Sequence, residues 1–336
     1  MWFGKDKSIL GVDIGTQAIK LVQLNSENYT LETYGIVDLL EPITSQTTEA
    51  VVMQTVDMLK TLCAKAHVTT KRCAMSLPNQ TVFASVIDMP KMSDEELEQA
   101  IQFEAKKYVP LPITEVTLSW SLISEDTVTN ANKVLLIAVP KQIRDMFINI
   151  FHKADLELEV IEIEALALIR SLIDQQSKND VIIDIGAKVT GINFVTNGLL
   201  QLTRNLNIGG DTITEKIGQT LNLQLPRAEQ FKRDFGLNST EFLPEAVKPV
   251  LNNIKSEVKQ IIDLYKSHNV NAERVILVGG GAQMPGLKRY FSDVAPNVIM
   301  GDVLQKISYP EQVEPVLKRF SLQLPVAIGL AMRNQT

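Results

Sequence analysis

The chain has 336 residues, of which 45% are hydrophobic and 21% charged, and 33 Lys and Arg against 39 Asp and Glu leave a net charge of -6. At roughly 150 residues per domain, this length allows about two domains with separate cores, and the composition excludes collagen-like, disordered and low-complexity chains. A mildly acidic chain without a long basic run also points away from nucleic acid as a partner.

Residues 9–15, Ile-Leu-Gly-Val-Asp-Ile-Gly, read as an apolar strand ending in a turn, and 18–24 as its return strand. Strand-like text continues at 30–37. Over 49–66, Val52, Val56, Leu59, Cys63 and Ala66 recur at helical spacing, and 73–77 and 82–89 read as strands. Ser93 followed by Glu96 is a capping box, and the helix it opens carries Leu97, Ala100, Ile101 and Ala105 before Pro110 and Pro112 stop it. Strands at 116–123 and 134–139, joined by a polar turn at 124–133, complete a small α+β insert. A helix over 141–153, a strand over 156–163 and a helix over 164–174 follow, and the polar stretch 175–180 marks a boundary. Beyond it come strands at 181–186 and 191–195 and helices at 212–221, 227–235 and 245–265. Residues 275–291 then give a strand, a glycine turn and a helix, and 327–333 a last helix.

The two cysteines, Cys63 and Cys73, are too few for a disulfide framework and lack zinc-site spacing, so they read as buried, reduced thiols of a cytoplasmic protein. His67, His152 and His268 have no metal spacing and read as surface residues. No stretch reaches the ~20 apolar residues of a spanning helix. Residues 1–7 lack the apolar core of a signal peptide and read as a frayed end.

An internal echo carries the most information. Gly11-Val12-Asp13-Ile14-Gly15-Thr16 matches Ile182-Ile183-Asp184-Ile185-Gly186-Ala187 at the start of the second half, and each is followed by a return strand. A glycine at such a turn allows close backbone approach, and successive turn amides can point at one phosphate. The aspartates would repel a bare phosphate, so the pattern suits a Mg²⁺ that takes carboxylate, water and phosphate oxygens together. Two copies suggest two similar domains with a polyphosphate held by both hairpins. The sequence contains neither a Walker loop nor a Rossmann fingerprint at the first strand. The third element is the run Val275-Ile276-Leu277-Val278-Gly279-Gly280-Gly281, where missing side chains would let a flat ligand lie on the backbone next to a helix start.

These residues resemble the actin, Hsp70 and sugar-kinase ATPase superfamily, with the two Asp-Ile-Gly turns as its phosphate loops and the triple glycine as its adenosine motif. The resemblance implies a duplicated, actin-like (ribonuclease H-like) α/β fold with MgATP in the cleft between two domains. It assigns phosphate contacts to Gly15, Thr16, Gln17, Lys20, Gly186, Ala187 and Lys188, and Mg²⁺ to Asp13 and Asp184. Gly209, Gly210, Glu229, Lys232, Gly280, Gly281 and Met284 fall to the adenosine, and Asp184 and Glu164 to ordering the attacking water. From the residues alone, Lys20 also reads as an exposed strand lysine and Glu229 with Lys232 as a solvated i, i+3 pair. Lys188 stands where vigorous ATPases of the superfamily place a small or acidic residue, which implies slow turnover at most.

The text of 89–97, Met-Pro-Lys-Met-Ser-Asp-Glu-Glu-Leu, and of 103–112, Phe-Glu-Ala-Lys-Lys-Tyr-Val-Pro-Leu-Pro, resembles the SHS2-like insert, subdomain 1C, of the PilM/FtsA branch. A chain ending soon after 327–333, without a basic amphipathic helix, is similar to the PilM side of that branch. The implied organisation is 1–89 and 140–178 for domain 1, 90–139 for subdomain 1C and 179–336 for domain 2. The implied role is a cytoplasmic ATP-binding component of the type IV pilus inner-membrane platform, held at the membrane through protein partners. It would dock the N-terminal cytoplasmic tail of a PilN-like partner as an extended peptide, beside other platform proteins, with ATP or ADP as a conformational ligand. The oligomeric state stays open, a homo-oligomer included. Two alternatives remain: an FtsA-like division or cytoskeletal protein, and an actin-fold small-molecule kinase, for which no acceptor pocket or catalytic base is marked.

Overall fold

The computed structural model describes residues 8–126, 131–174, 176–238 and 242–333; the readings placed on 1–7, on 127–130 of the polar turn and on position 175 lie outside them. The chain forms two compact units. One holds the described residues of Met1–Ala167, Leu199–Thr203 and Ala327–Thr336, and the other Leu168–Gly198 and Arg204–Val326.

In the first unit, β1 (Ser8–Ile14) is buried at every position, as its nearly unbroken apolar run requires of a central strand. β2 (Ala18–Asn25) returns antiparallel to β1 and pairs with β3 (Leu31–Asp38). α1 (Glu49–Lys65) begins at Thr48, whose hydroxyl accepts from the Val51 amide, and it buries Val52, Val56, Leu59 and Leu62. β4 (Arg72–Leu77) lies parallel to β1. The chain then builds the insert from β5 (Phe83–Pro90), α2 (Asp94–Glu104), β6 (Val116–Asp126) and β7 (Ala131–Pro140). Its antiparallel sheet has the order β5-β7-β6. α2 opens on the expected capping box, with both Ser93 and Glu96 bonds formed, and packs Leu97, Ile101 and Ala105 against Ile87, Met89, Val134 and Leu136. α3 (Lys141–Lys153) and β8 (Glu157–Ile163) return to the main sheet, whose order is β3-β2-β1-β4-β8, and α4 (Glu164–Leu172) follows β8 without a loop.

The second unit repeats this plan. β9 (Asn179–Ile185) and β10 (Thr190–Thr196) form the hairpin, and β11 (Leu199–Leu206), of which only Arg204–Leu206 is grouped with this unit, pairs with β10. α5 (Gly210–Leu221), α6 (Leu225–Asp234) and α7 (Phe242–Ser267) come next, with Tyr265 of α7 stacked on Phe194 of β10, ring centroids 3.8 Å apart. β12 (Arg274–Val278) runs parallel to β9. α8 (Leu287–Tyr290), β13 (Asn297–Met300), α9 (Glu314–Phe320) and α10 (Pro325–Ala331) complete the chain, and the sheet order is β11-β10-β9-β12-β13. Within the first unit the end of α10 lies against β1: a Cβ on Gly11 would sit 2.1 Å from the Ala327 carbonyl oxygen.

Some local expectations are corrected. The glycines of 279–281 lead into a 3₁₀ turn, Gly280–Gln283, and the helix after it is only the four-residue α8. Gly286, at φ +83°, interrupts the run so that no long helix can start at the glycines. The sequence reading had no counterpart for β11, β13 or α9. Of the two thiols Cys73 is buried as expected, whereas Cys63 is only partly covered. All three histidines are exposed. Among the described residues no helix is long and apolar enough to cross a membrane.

Candidate functional site

In the first unit the chemistry gathers at the β1–β2 turn. Asp13 is opposite Lys20 on β2 and Ser76 on β4, so the pairing register alone brings the three together. The Lys20 ammonium donates to the Asp13 carboxylate at 2.8 Å, and the Ser76 hydroxyl donates more weakly at 3.5 Å. Asp13 is 3% exposed, which a carboxylate tolerates only with such partners. The turn closes with the Gly15 amide donating to the Ala18 carbonyl at 2.9 Å, while Gln17 is exposed and Thr16 half-buried. Glu164, first residue of α4, accepts from the Asn79 side-chain amide at 2.6 Å.

The second unit makes the same turn, the Gly186 amide donating to the Val189 carbonyl at 3.0 Å, with Lys188 exposed at its tip. Asp184, next to last in β9, lies beside Val278 of β12. The turn is braced from behind: the amides of Gly210 and Asp211, opening α5, donate to the Gly186 and Ala187 carbonyls at 2.9 and 2.8 Å. Only glycine allows this, since a Cβ on Gly209 would lie 2.4 Å from the Ala187 carbonyl oxygen. Gly209 and Gly210 are both buried, so they shape the turn from inside.

Glu229 and Lys232, one helical turn apart on α6, do form an ion pair, at 2.6 Å. Lys232 is far from the solvated face that spacing alone allows: it is 7% exposed and also donates to the Gly210 carbonyl at 2.9 Å and the Thr214 hydroxyl at 2.8 Å. Burial pushes the Glu229 carboxyl up, and hydrogen bonds from Lys232, Thr214 and Arg233 outweigh it, so the carboxyl is held below its ordinary range. α6 is thereby tied to the glycine pair that braces the turn.

The triple glycine approaches the same turn from β12. Gly279, at φ +90°, passes so close to β9 that a Cβ there would lie 2.3 Å from Asp184 Oδ1, and one on Gly281 would lie 2.4 Å from Ile185 Cγ2. A Cβ on Gly280 would meet nothing within 4 Å. Thus Gly279 and Gly281 serve the packing of β12 on β9, and Gly280 leaves an open shelf of backbone. A cavity of about 350 Å³ is lined by Ala282, Met284, Leu287, Met300 and Leu322 together with Gln283, Lys288, Lys318 and Arg319. Met284 was read from the sequence as a site residue. Lys318 and Arg319 were not, and the basic pair just before the last helix was the signal that could have pointed to them. Among the described residues no group of three or more His, Cys, Asp or Glu could hold a metal ion by itself.

Comparison with known proteins agrees with this architecture. A family model described as type IV pilus assembly protein PilM matches residues 11–335. The cell division protein FtsA of Streptococcus pneumoniae serotype 2 (strain D39) is 21% identical over 84% of this chain and 73% of its own length. The ethanolamine utilization protein EutJ of Escherichia coli K12 is 29% identical over 44% of this chain and 49% of its own. Among solved structures, a PilM-PilN type IV pilus biogenesis complex superposes with a TM-score of 0.84 at 24% identity, covering 97% of this chain and 98% of that one. EutJ from Carboxydothermus hydrogenoformans gives 0.62 at 17% identity over 98% and 91%. MreB5 of Spiroplasma citri bound to ADP gives 0.50 at 16% identity over 94% and 97%. The fold is actin-like.

Proposed function

The chain belongs to the family of type IV pilus assembly proteins PilM, and from that premise we propose that it is a nucleotide-binding component of the pilus inner-membrane platform. In this reading it holds the N-terminal cytoplasmic segment of a PilN-like partner, with ATP or ADP as a conformational ligand and hydrolysis slow at most. Residues 90–139 would be subdomain 1C, between the 1–89 and 140–178 parts of domain 1, with 179–336 as domain 2. The protein would stay at the membrane through protein partners.

The observation that carries the nucleotide half is the passage of Gly279–Gly281 over the end of β9, with Gly280 open. A cradle kept free of Cβ atoms is what a flat base and ribose require. The residues therefore fit the group. Gly280, Gly281 and Met284 would take the adenosine, with Glu229 and Lys232 flanking it and Gly209 and Gly210 supporting the turn. Gly186, Ala187 and Lys188 would face phosphate in the second unit, and Gly15, Thr16, Gln17 and Lys20 in the first. Mg²⁺, arriving with the nucleotide, would be held through water by Asp13 and Asp184 and would neutralise phosphate charge. Glu164 and Asp184 would be the groups within reach of an attacking water. A nucleotide can shift the protein only by binding one conformation better than another, so its effect on the partner is the decisive readout.

The partner half rests on family membership and on the likeness to the solved PilM-PilN complex. The test is a pull-down with membrane-anchored pilus proteins, with and without MgATP, beside calorimetry with ATP, ADP and EDTA. Recovery of a PilN-like chain that depends on nucleotide supports the reading. Phosphate release at kinase-like rates with a sugar acceptor would overturn it. The FtsA likeness supports one second reading, a division role, and recovery of a division-ring protein instead would decide for that.

A further inference from the structure

The three sheets have six edge strands, and five of them are guarded. β3 carries Glu32 and Asp38, β8 carries Glu157, Glu159 and Glu162, and β11 carries Arg204. β5 carries Asp88 and ends in Pro90, and β13 has only four residues. Charge, proline and shortness are the devices that stop an exposed row of amides and carbonyls from pairing with another chain. β6 has none of them from Val116 to Ser124, although it is an eleven-residue strand bonded on one side to β7 and, among the described residues, to no strand on the other.

The exposed part of this edge has a second property. Leu118-Ser119-Trp120-Ser121-Leu122 reads the same in both directions. In an antiparallel pair of two such strands centred on Trp120, Leu118 faces Leu122, Ser119 faces Ser121, and Trp120 faces its own copy. Each match is a favourable cross-strand pair, aliphatic, hydroxyl or aromatic, and no charge lies inside the paired run. Self-complementarity about a two-fold axis is the requirement of an isologous dimer. Leu122 is 43% exposed and both serines are exposed, while Trp120 leans on the core of the insert.

We propose that β6 is a homotypic interface, through which two copies of this chain pair antiparallel about Trp120 and merge their three-stranded sheets into one of six strands. An extended partner peptide could also add to an unguarded edge, but it would have no use for an edge that mirrors itself. Glu115 precedes the run, and a register shift between Leu122 and Ser124, followed by Glu125, closes it. The pairing is therefore short and falls below the ~1,200–2,000 Å² of a standard stable interface. The dimer is reversible and concentration-dependent.

The test is sedimentation velocity of the full chain across the micromolar to near-millimolar range. The wild type is expected to pass from monomer to dimer. The double variant Ser119→Lys/Ser121→Lys sets like charges opposite each other twice and is expected to weaken association by about tenfold or more. Ser119→Lys/Ser121→Glu sets opposite charges across the same axis and is expected to restore it, which a general surface effect would not do. Far-ultraviolet circular dichroism checks that both variants fold. The chain has two tryptophans, so in a Trp2→Phe background the emission reports Trp120 alone, and its quenching by acrylamide should fall as the dimer forms. A wild type that stays monomeric, even if it binds a PilN-like peptide at this edge, overturns the proposal. So does a dimer indifferent to the two lysines, or one lost equally in both charge variants.

Discussion

Lys20 and Asp13 face each other across the first hairpin as an ion pair of 2.8 Å, with 19% and 4% of their side-chain surfaces exposed. A phosphate that draws on Lys20 and a metal that draws on Asp13 must break this pair together, so the two are expected to bind as a unit. Asp13→Ala should lose Mg²⁺-dependent ATP affinity while the fold survives, by calorimetry with and without EDTA. Unchanged affinity would count against the site. Lys20→Met leaves a buried carboxylate with the long Ser76 contact as its described neighbour on β4, and should cost about 1–3 kcal/mol in urea unfolding.

Two adjacent glycines should behave oppositely. Gly279→Ala drives a Cβ into Asp184 and Ile185 at a positive φ, and is expected to cost about 2–5 kcal/mol. Gly280→Ala meets nothing within 4 Å and should change stability by no more than about 0.5 kcal/mol while lowering ATP affinity. Thermal melts and nucleotide titrations of the two variants, side by side, separate packing from binding.

The Glu229 cluster predicts an acid-side dependence. Its carboxyl is held below the ordinary 4.5, so the stability it contributes is present above that value and is lost as pH falls through the lower folded value. Glu229→Gln removes the charge that compensates buried Lys232 and should cost about 1–3 kcal/mol at neutral pH. The gap between variant and wild-type urea midpoints should narrow well below 4.5. A gap that stays constant would show that the carboxylate charge is not the cause.

Burial raises both thiols, Cys63 to about 11 and Cys73 further, with nearby Cys63, Glu159 and Glu157 adding to the effect at Cys73. Few thiolates exist at neutral pH, so native alkylation is expected to be far slower than in denaturant. Partly covered Cys63 should react before Cys73, as mass spectrometry of a time course would show.

Elements set by neighbours in sequence were legible. β1 and β9 announce themselves as apolar runs, and Ser93 with Glu96 announces the start of α2. β11 was missed because Leu-Leu-Gln-Leu-Thr-Arg-Asn-Leu is half exposed and mixes both patterns, and β13 because four residues carry too little period. The two hairpin turns that follow Asp13 and Asp184 were legible because one local motif carries each. Places where distant segments meet were not. Lys232 looks like a surface lysine until Gly210 and Thr214, 22 and 18 residues away, are seen to enclose it. Arg319 joins Met284 in one cavity for the same reason.

The bracing of the second turn gives that unit a mechanical linkage. Gly186 and Ala187 hang on the first two amides of α5, and the carbonyl of Gly210 hangs in turn on Lys232 of α6. The turn is therefore coupled through hydrogen bonds to two helices of its own unit, and a shift of the turn is expected to reach both.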